Sequence, residues 1–254
     1  MAPKKHIVFD VVGTCVSFDA YFDRISQILG PRLLEHNINP KHFGYTWMEA
    51  AELEFNFILL SERYTPYNTV FNAVFYRTLY MAGISDPREF ATDEERDACQ
   101  AGYSELQLRP GCREMMEKLR GAGWTVWCLT TGDVKRVMGY FEKAGLEMPR
   151  ENFVSCDQFV EIDEKTGERK GTGVYKPSMA AYSPMLKLFA EEDEKWFAAA
   201  HMWDVSAAVK AGFRGAYCTI YEKEPCLEIF KTKMDVMADT LPEMAEKMIA
   251  ITSP

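Results

Sequence analysis

From residue 109 onward this chain of 254 residues alternates short apolar runs with amphipathic segments, whereas the interval 16–108 does not. The apolar runs lie at 6–10, 124–129 (WTVWCL), 152–155, 198–203 and 214–219. Between them, GCREMMEKLRGAG at 111–123 has apolar residues at helical spacing and stops on glycine. DVKRVMGYFEKAG at 133–145 opens on Asp133 as a helix cap and also ends on glycine. Segments 178–190 and 204–212 repeat the pattern. Strands that alternate with helices predict βαβ units, and therefore an α/β fold built on a parallel sheet.

The interval 16–108 carries no strand pattern. It predicts helices near 19–30, 43–61, 67–83 and 92–105, and Arg109-Pro110-Gly111 ends it. The expected division is a core of 1–15 plus 109–254, with 16–108 as a helical cap over the end of the first strand. Hinges are expected near Cys15–Ser17 and Leu108–Gly111. The charged, turn-rich stretch 160–173 predicts an exposed hairpin with no chemistry of its own.

Composition narrows the function classes. Acidic residues number 38 against 29 basic ones, which gives a net charge of -9. That balance disfavours nucleic acid and anionic membranes as partners. No apolar run reaches the length of a membrane-spanning helix. The first residues, MAPKKHIVFD, enter the first strand at once and are expected to leave no room for a signal peptide. Seven scattered cysteines, an odd number with no CxxC, predict reduced, buried thiols in a cytoplasmic protein. A small molecule is the expected partner, and a homodimer is allowed.

Chemistry is expected at the strand ends. The first apolar run stops at Asp10, followed by Gly13-Thr14. In open α/β sheets ligands bind at the carboxyl ends of strands. A carboxylate there can serve as nucleophile, metal ligand or general base. The run 124–129 leads into Thr130-Thr131-Gly132-Asp133, a hydroxyl followed by a helix start that offers N–H donors to an anion. Lys176 precedes Pro177, and His201-Met202-Trp203-Asp204 ends another strand.

This ordered set resembles the haloacid dehalogenase superfamily over nearly the whole chain. Asp10-x-x-Gly13-Thr14 is similar to its first motif, Thr130 to the second, Lys176 to the third and Asp204 to the fourth. The resemblance implies a Rossmann-like core with a helical cap inserted after the first strand. Most members are magnesium-dependent phosphatases with Asp-x-Asp in the first motif, but here the second position is Val12. Another phosphatase aspartate, four residues before Asp204, is Ala200 here. Mg²⁺ favours octahedral oxygen ligation, so these losses argue against phosphoryl transfer. A single first-motif aspartate with the Trp203-Asp204 pair resembles the metal-free L-2-haloacid dehalogenase branch.

The implied chemistry is SN2 attack by Asp10 on the carbon bearing the leaving group, then hydrolysis of the ester by water activated near Asp204. Lys176 would offset the charge of the two carboxylates, and Thr14 and Thr130 would hold the substrate carboxylate. Val11, Val12, Thr131, Trp203 and Trp47 are the expected substrate-facing residues, and no metal or cofactor is expected. The dehalogenases accept the halide on a cap arginine; alignment on Tyr45-Thr46-Trp47 puts Asn39 there, with Arg24, Lys41 and Arg63 as candidate substitutes. An asparagine of their fourth motif is His201 here, a candidate base for the attacking water on the same strand face as Trp203. Cys15 is read as packing. The expectation is therefore a metal-independent hydrolase acting on a small or medium organic acid that need not be halogenated. The alternatives are a magnesium phosphatase with degraded ligands, or a scaffold turned to lyase, isomerase or binding work.

Overall fold

The computed structural model describes residues 3–159, 163, 165 and 173–252. Among the described residues six strands form one sheet: β1 (Lys5–Phe9), β4 (Trp124–Thr130), β5 (Phe153–Ser155), β6 (Glu194–Ala199), β7 (Arg214–Cys218) and β8 (Val236–Ala238). Their order is β5-β4-β1-β6-β7-β8, and every pairing is parallel. The chain winds outward from β1 through β4 and β5, then crosses back to lay down β6, β7 and β8. This is the doubly wound order, and the direction of winding reverses between β1 and β6, where such sheets form a ligand crevice.

Ile7, Val8 and Phe9 of β1 have no exposed surface, as a central parallel strand covered on both faces requires. Phe9 sits level with Cys128 on one side and Ala198 on the other. The helices of this unit are α7 (Cys112–Gly121), α8 (Val134–Lys143), α9 (Met179–Leu186), α10 (Met202–Ala211), α11 (Leu227–Phe230) and α12 (Leu241–Thr252). A two-strand antiparallel ladder, β2 (Val16–Ser17) with β3 (Gln107–Leu108), joins the points where the chain leaves and re-enters the unit.

Contacts within the chain separate this α/β unit from a second compact unit built on Phe18–Leu106. That unit is helical: α1 (Asp19–Ile28), α2 (Gly30–Glu35), α3 (Pro40–Leu60), α4 (Tyr67–Met81), α5 (Pro87–Phe90) and α6 (Asp93–Gln100). Its centre is aromatic. The Trp47 ring stacks on Phe71 with centroids 4.1 Å apart, and its indole N–H donates to the Phe71 carbonyl at 2.8 Å. Such polar satisfaction is what a buried tryptophan needs.

Several expectations need correction. The fourth apolar run is strand only from Glu194 to Ala199, so His201 and Trp203 do not share a strand face. His201 is the residue before α10, and Trp203 lies in its first turn. Glu194 and Lys195 extend the strand at its other end because they pair with Lys5 and His6 at the sheet's rim, where charged side chains reach water. Strand β8 and the β2–β3 ladder are too short for an apolar period to reveal them. The expected hairpin at 160–173 lies almost wholly outside the described residues. Among the described residues no helix is long and apolar enough to cross a membrane.

Candidate active site

Asp10 follows β1 directly, and its backbone N–H still bonds across to the Ala198 carbonyl at 3.0 Å. The chain then turns sharply: Val16 donates to the Val11 carbonyl at 2.9 Å, and Gly13 donates to the Val16 carbonyl at 2.8 Å. Gly13 has φ of +94°, a conformation that glycine adopts freely. Arg109 braces the turn from outside, its guanidinium donating to the Gly13 carbonyl at 2.7 Å and the Thr14 carbonyl at 3.2 Å.

This turn brings Thr14 back beside Asp10. The Thr14 hydroxyl donates to Asp10 Oδ2 at 2.7 Å and accepts the Ala200 N–H at 2.8 Å. Its one proton is thereby aimed at the carboxylate. The other oxygen, Oδ1, receives Lys176 Nζ at 2.9 Å. The same ammonium donates to Asp204 Oδ2 at 2.8 Å, and Tyr182 from α9 donates to Asp204 Oδ1 at 2.5 Å. Asp10, Thr14, Lys176 and Asp204 are all buried, with Asp10 retaining 8% exposure.

Electrostatics follow from this packing. Burial opposes charge on Lys176, but the two carboxylates outweigh it and hold its pKa above the usual lysine range. Burial raises Asp204, aided by the nearby Asp10 charge and opposed by Lys176 and the Tyr182 hydroxyl. Burial first, and then the Asp204 charge, push the Tyr182 hydroxyl far up, so it remains a donor. Cys15 is buried and its thiol is pushed well up by burial and by Cys112, which fits packing rather than nucleophilic work.

The remaining expected residues scatter more widely. Thr130 is buried at the end of β4, where its Oγ1 accepts the Gly132 N–H at 3.0 Å, while Thr131 is exposed. His201 lies against Gly13: a Cβ at that glycine would come within 2.1 Å of Nε2. Nε2 faces the Val12 carbonyl at 3.4 Å, and Nδ1 faces Glu222 Oε1 at 3.3 Å. Trp203 is 39% exposed, with its ring centroid 5.5 Å from that of His201. Of the residues expected to face substrate, Trp47 is fully buried in the aromatic centre of the helical unit, and Val11 has no exposed surface.

The positions proposed for halide binding have local duties inside the helical unit. Asn39 caps α3, its Oδ1 accepting the His42 N–H at 3.0 Å. Arg24 is paired with Glu105, Lys41 stands 5.5 Å from the Phe22 ring, and Arg63 donates to the Ser61 hydroxyl at 3.1 Å.

Sequence reasoning missed three residues here. Tyr182 falls within the expected helix 178–190, Glu222 lies beyond the last expected strand, and Arg109 marks the end of the helical insert. None carries a local signal. As for metals, among the described residues no group of three or more His, Cys, Asp or Glu side chains could hold an ion. Both central carboxylates turn toward an ammonium group. The arrangement presents a buried carboxylate with a hydroxyl donor, a bridging ammonium and a second carboxylate, a set suited to covalent catalysis through an ester.

A family model described as haloacid dehalogenase-like hydrolase matches residues 4–212. A curated relative, (S)-2-haloacid dehalogenase 4A of Burkholderia cepacia, is 25% identical over 119 residues, 46% of this chain and 46% of its own. The match thus spans less than half the length of that relative. Among solved structures, the L-2-haloacid dehalogenase of Xanthobacter autotrophicus with chloropropionic acid covalently bound superposes with a TM-score of 0.71 at 17% identity, covering 98% of this chain and 100% of that one. A dehalogenase with an intermediate complex gives a TM-score of 0.71 at 18% identity over 96% of both chains. These likenesses give the fold, and the family match, spanning most of the α/β unit and the helical unit, places the chain among the haloacid dehalogenase-like hydrolases.

Proposed function

We propose that this hydrolase works without a metal, through Asp10 as nucleophile, on a small or medium organic acid whose leaving group need not be a halide. The observation that carries this reading is Lys176 Nζ bonded to both Asp10 and Asp204, at 2.9 and 2.8 Å. The ammonium offsets the charge of both carboxylates and aims Asp10, while the metal-free part of the reading rests on the first and fourth motifs. Val12 and Ala200 stand where those enzymes place further carboxylates.

In the first step an Asp10 carboxylate oxygen attacks the carbon bearing the leaving group, and the leaving group departs with the bonding pair. The product is an ester of the Asp10 side chain. Lys176 and the Thr14 hydroxyl hold the two oxygens of Asp10 and thereby set the direction of attack. In the second step water adds to the ester carbonyl carbon, its proton going to Asp204. The Lys176 and Thr14 donors are placed to stabilise negative charge on the carboxyl oxygens as the tetrahedral intermediate forms. Collapse expels the alkoxide oxygen of the hydroxy acid, which takes the proton back from Asp204, and restores Asp10, which now carries one oxygen from water and gives up the remaining proton to solvent.

The test is a single turnover in H₂¹⁸O, with mass measurement of the peptide containing Asp10. Label in Asp10 is the expected result. Label found only in the product would mean direct attack by water and would overturn the ester mechanism.

A further inference from the structure

We propose that Glu222 favours the imidazolium form of His201, so that the ring serves as a positive charge beside Asp10 and not as a base for water. The evidence is the chemistry of the two partners. Nδ1 faces a Glu222 carboxylate oxygen at 3.3 Å, and Nε2 faces the Val12 carbonyl oxygen at 3.4 Å. Both oxygens only accept. A neutral imidazole carries one N–H and would turn its other lone pair against an oxygen lone pair. The doubly protonated ring satisfies both contacts. Solvent offers little substitute, since the side chain is 13% exposed.

Glu222 is itself fixed as an acceptor. Its second oxygen receives the Met202 N–H at 2.8 Å and the Tyr217 hydroxyl at 3.2 Å. Met202 is the first residue of α10, where unpaired helix N–H groups favour a negative charge. One carboxylate therefore binds the helix that carries Asp204 and the ring that lies on the Gly13 turn. Gly13 makes this approach possible, because any side chain there would strike the imidazole. The Tyr221 ring meets the imidazole edge-on with centroids 4.9 Å apart, and Trp203 covers another side.

The charged groups facing His201 are Glu222 from the loop after β7, Asp10 from the end of β1 and Asp204 from α10, with Lys176 bound to the last two. Burial works against the imidazolium, yet the Glu222 bond and the three carboxylates outweigh it, and the pKa stands above that of an ordinary histidine. If Asp10 is the nucleophile, as proposed above, the base for water is then Asp204. Glu222 is a positioning residue that acts through His201.

The experiment is an NMR pH titration of the imidazole signals of the free enzyme, which has four histidines. His201→Gln identifies the His201 signal by its disappearance. In the wild type this signal should titrate above the ordinary histidine value of about 6.5. Glu222→Gln keeps an acceptor for Met202 and should lower the midpoint by a pH unit or more, a tenfold or greater drop in proton affinity. Glu222→Asp should largely restore it. The high-pH limb of kcat/KM should move with the midpoint, which a purely structural role for Glu222 would not cause. A wild-type midpoint at or below 6.5, or one indifferent to Glu222→Gln, would overturn the proposal. If the Gln variant folds poorly, the wild-type titration decides alone. The titration needs no turnover, so its outcome is separate from the fate of ¹⁸O in Asp10.

Discussion

The hydroxyl of Tyr182 and the ammonium of Lys176 grip Asp204 from opposite ends, at 2.5 and 2.8 Å, one on each carboxylate oxygen. Burial holds the Asp204 pKa up, and these two donors pull it back. Activity that requires ionised Asp204 should therefore rise through an acid limb above the usual carboxylate range. Tyr182→Phe removes one donor and should move that limb to still higher pH. It should also cost about 1.5–3 kcal/mol of stability, the usual worth of a hydrogen bond to a charged group. Denaturant unfolding and the pH profile of kcat check the two effects. A limb that stays put would show that Tyr182 does not act on Asp204.

Asp10→Asn should abolish turnover by several orders of magnitude while the fold survives, because an amide is a poor nucleophile. Circular dichroism and steady-state kinetics are the measurements, with mass spectrometry to exclude deamidation back to aspartate. Wild-type turnover by the intact amide would remove Asp10 from the mechanism.

Lys176→Met leaves two buried carboxylates facing each other without their cation. Breaking a buried ion pair on one side costs about 3–5 kcal/mol. The lysine pKa is raised in the folded protein, so its contribution is complete below the unfolded value and is lost as pH rises through the folded one. Throughout the neutral range the wild type should thus keep the full benefit. In the variant, protonation relieves the stranded carboxylates, so its melting-temperature deficit should shrink as pH falls. A deficit independent of pH would mean that packing, not charge, is what Lys176 supplies.

Exhaustive EDTA treatment should leave activity on the best organic acid substrate nearly unchanged. The reason is local: Val12 and Ala200 offer no carboxylate, and Lys176 occupies the face shared by Asp10 and Asp204. Complete loss, restored by Mg²⁺, would instead favour a phosphatase.

With (S)-2-chloropropionate, chloride release should be weak or absent. Asn39 is committed to capping α3, and Arg24 is paired with Glu105. Robust release with inversion at carbon, measured by chloride assay and chiral analysis, would show that another residue cradles the halide.

Much of this is legible in the chain because strand ends in a parallel sheet are marked twice, by an apolar run and by the polar residue that stops it. Asp10, Thr130 and Asp204 each follow or close such a run, and the order of motifs adds Lys176. The failures have a common physical cause. Tyr182, Glu222 and Arg109 act through contacts between segments far apart in sequence, and each looks locally like something ordinary. An aromatic residue that packs and one that lines a pocket have the same sequence signature, so the bonded indole N–H and full burial of Trp47 are visible only in the fold. His201 and Trp203 lie outside the strand because it ends at Ala199, four residues before the end of the apolar run 198–203.

The central position of β1 also has a meaning in time. Asp10 and Lys176 are 166 residues apart, and the Thr14 hydroxyl meets an amide 186 residues further on. Parallel pairings of such separation form slowly, because loop closure must precede the contacts that stabilise it. A growing chain therefore exposes Asp10 long before its neutralising lysine and the β6 segment exist. The proposed nucleophile is made first and armed last, so reactivity should emerge only with the completed sheet. Appearance of activity during refolding would then report the assembly of the sheet's middle, with helix formation already past.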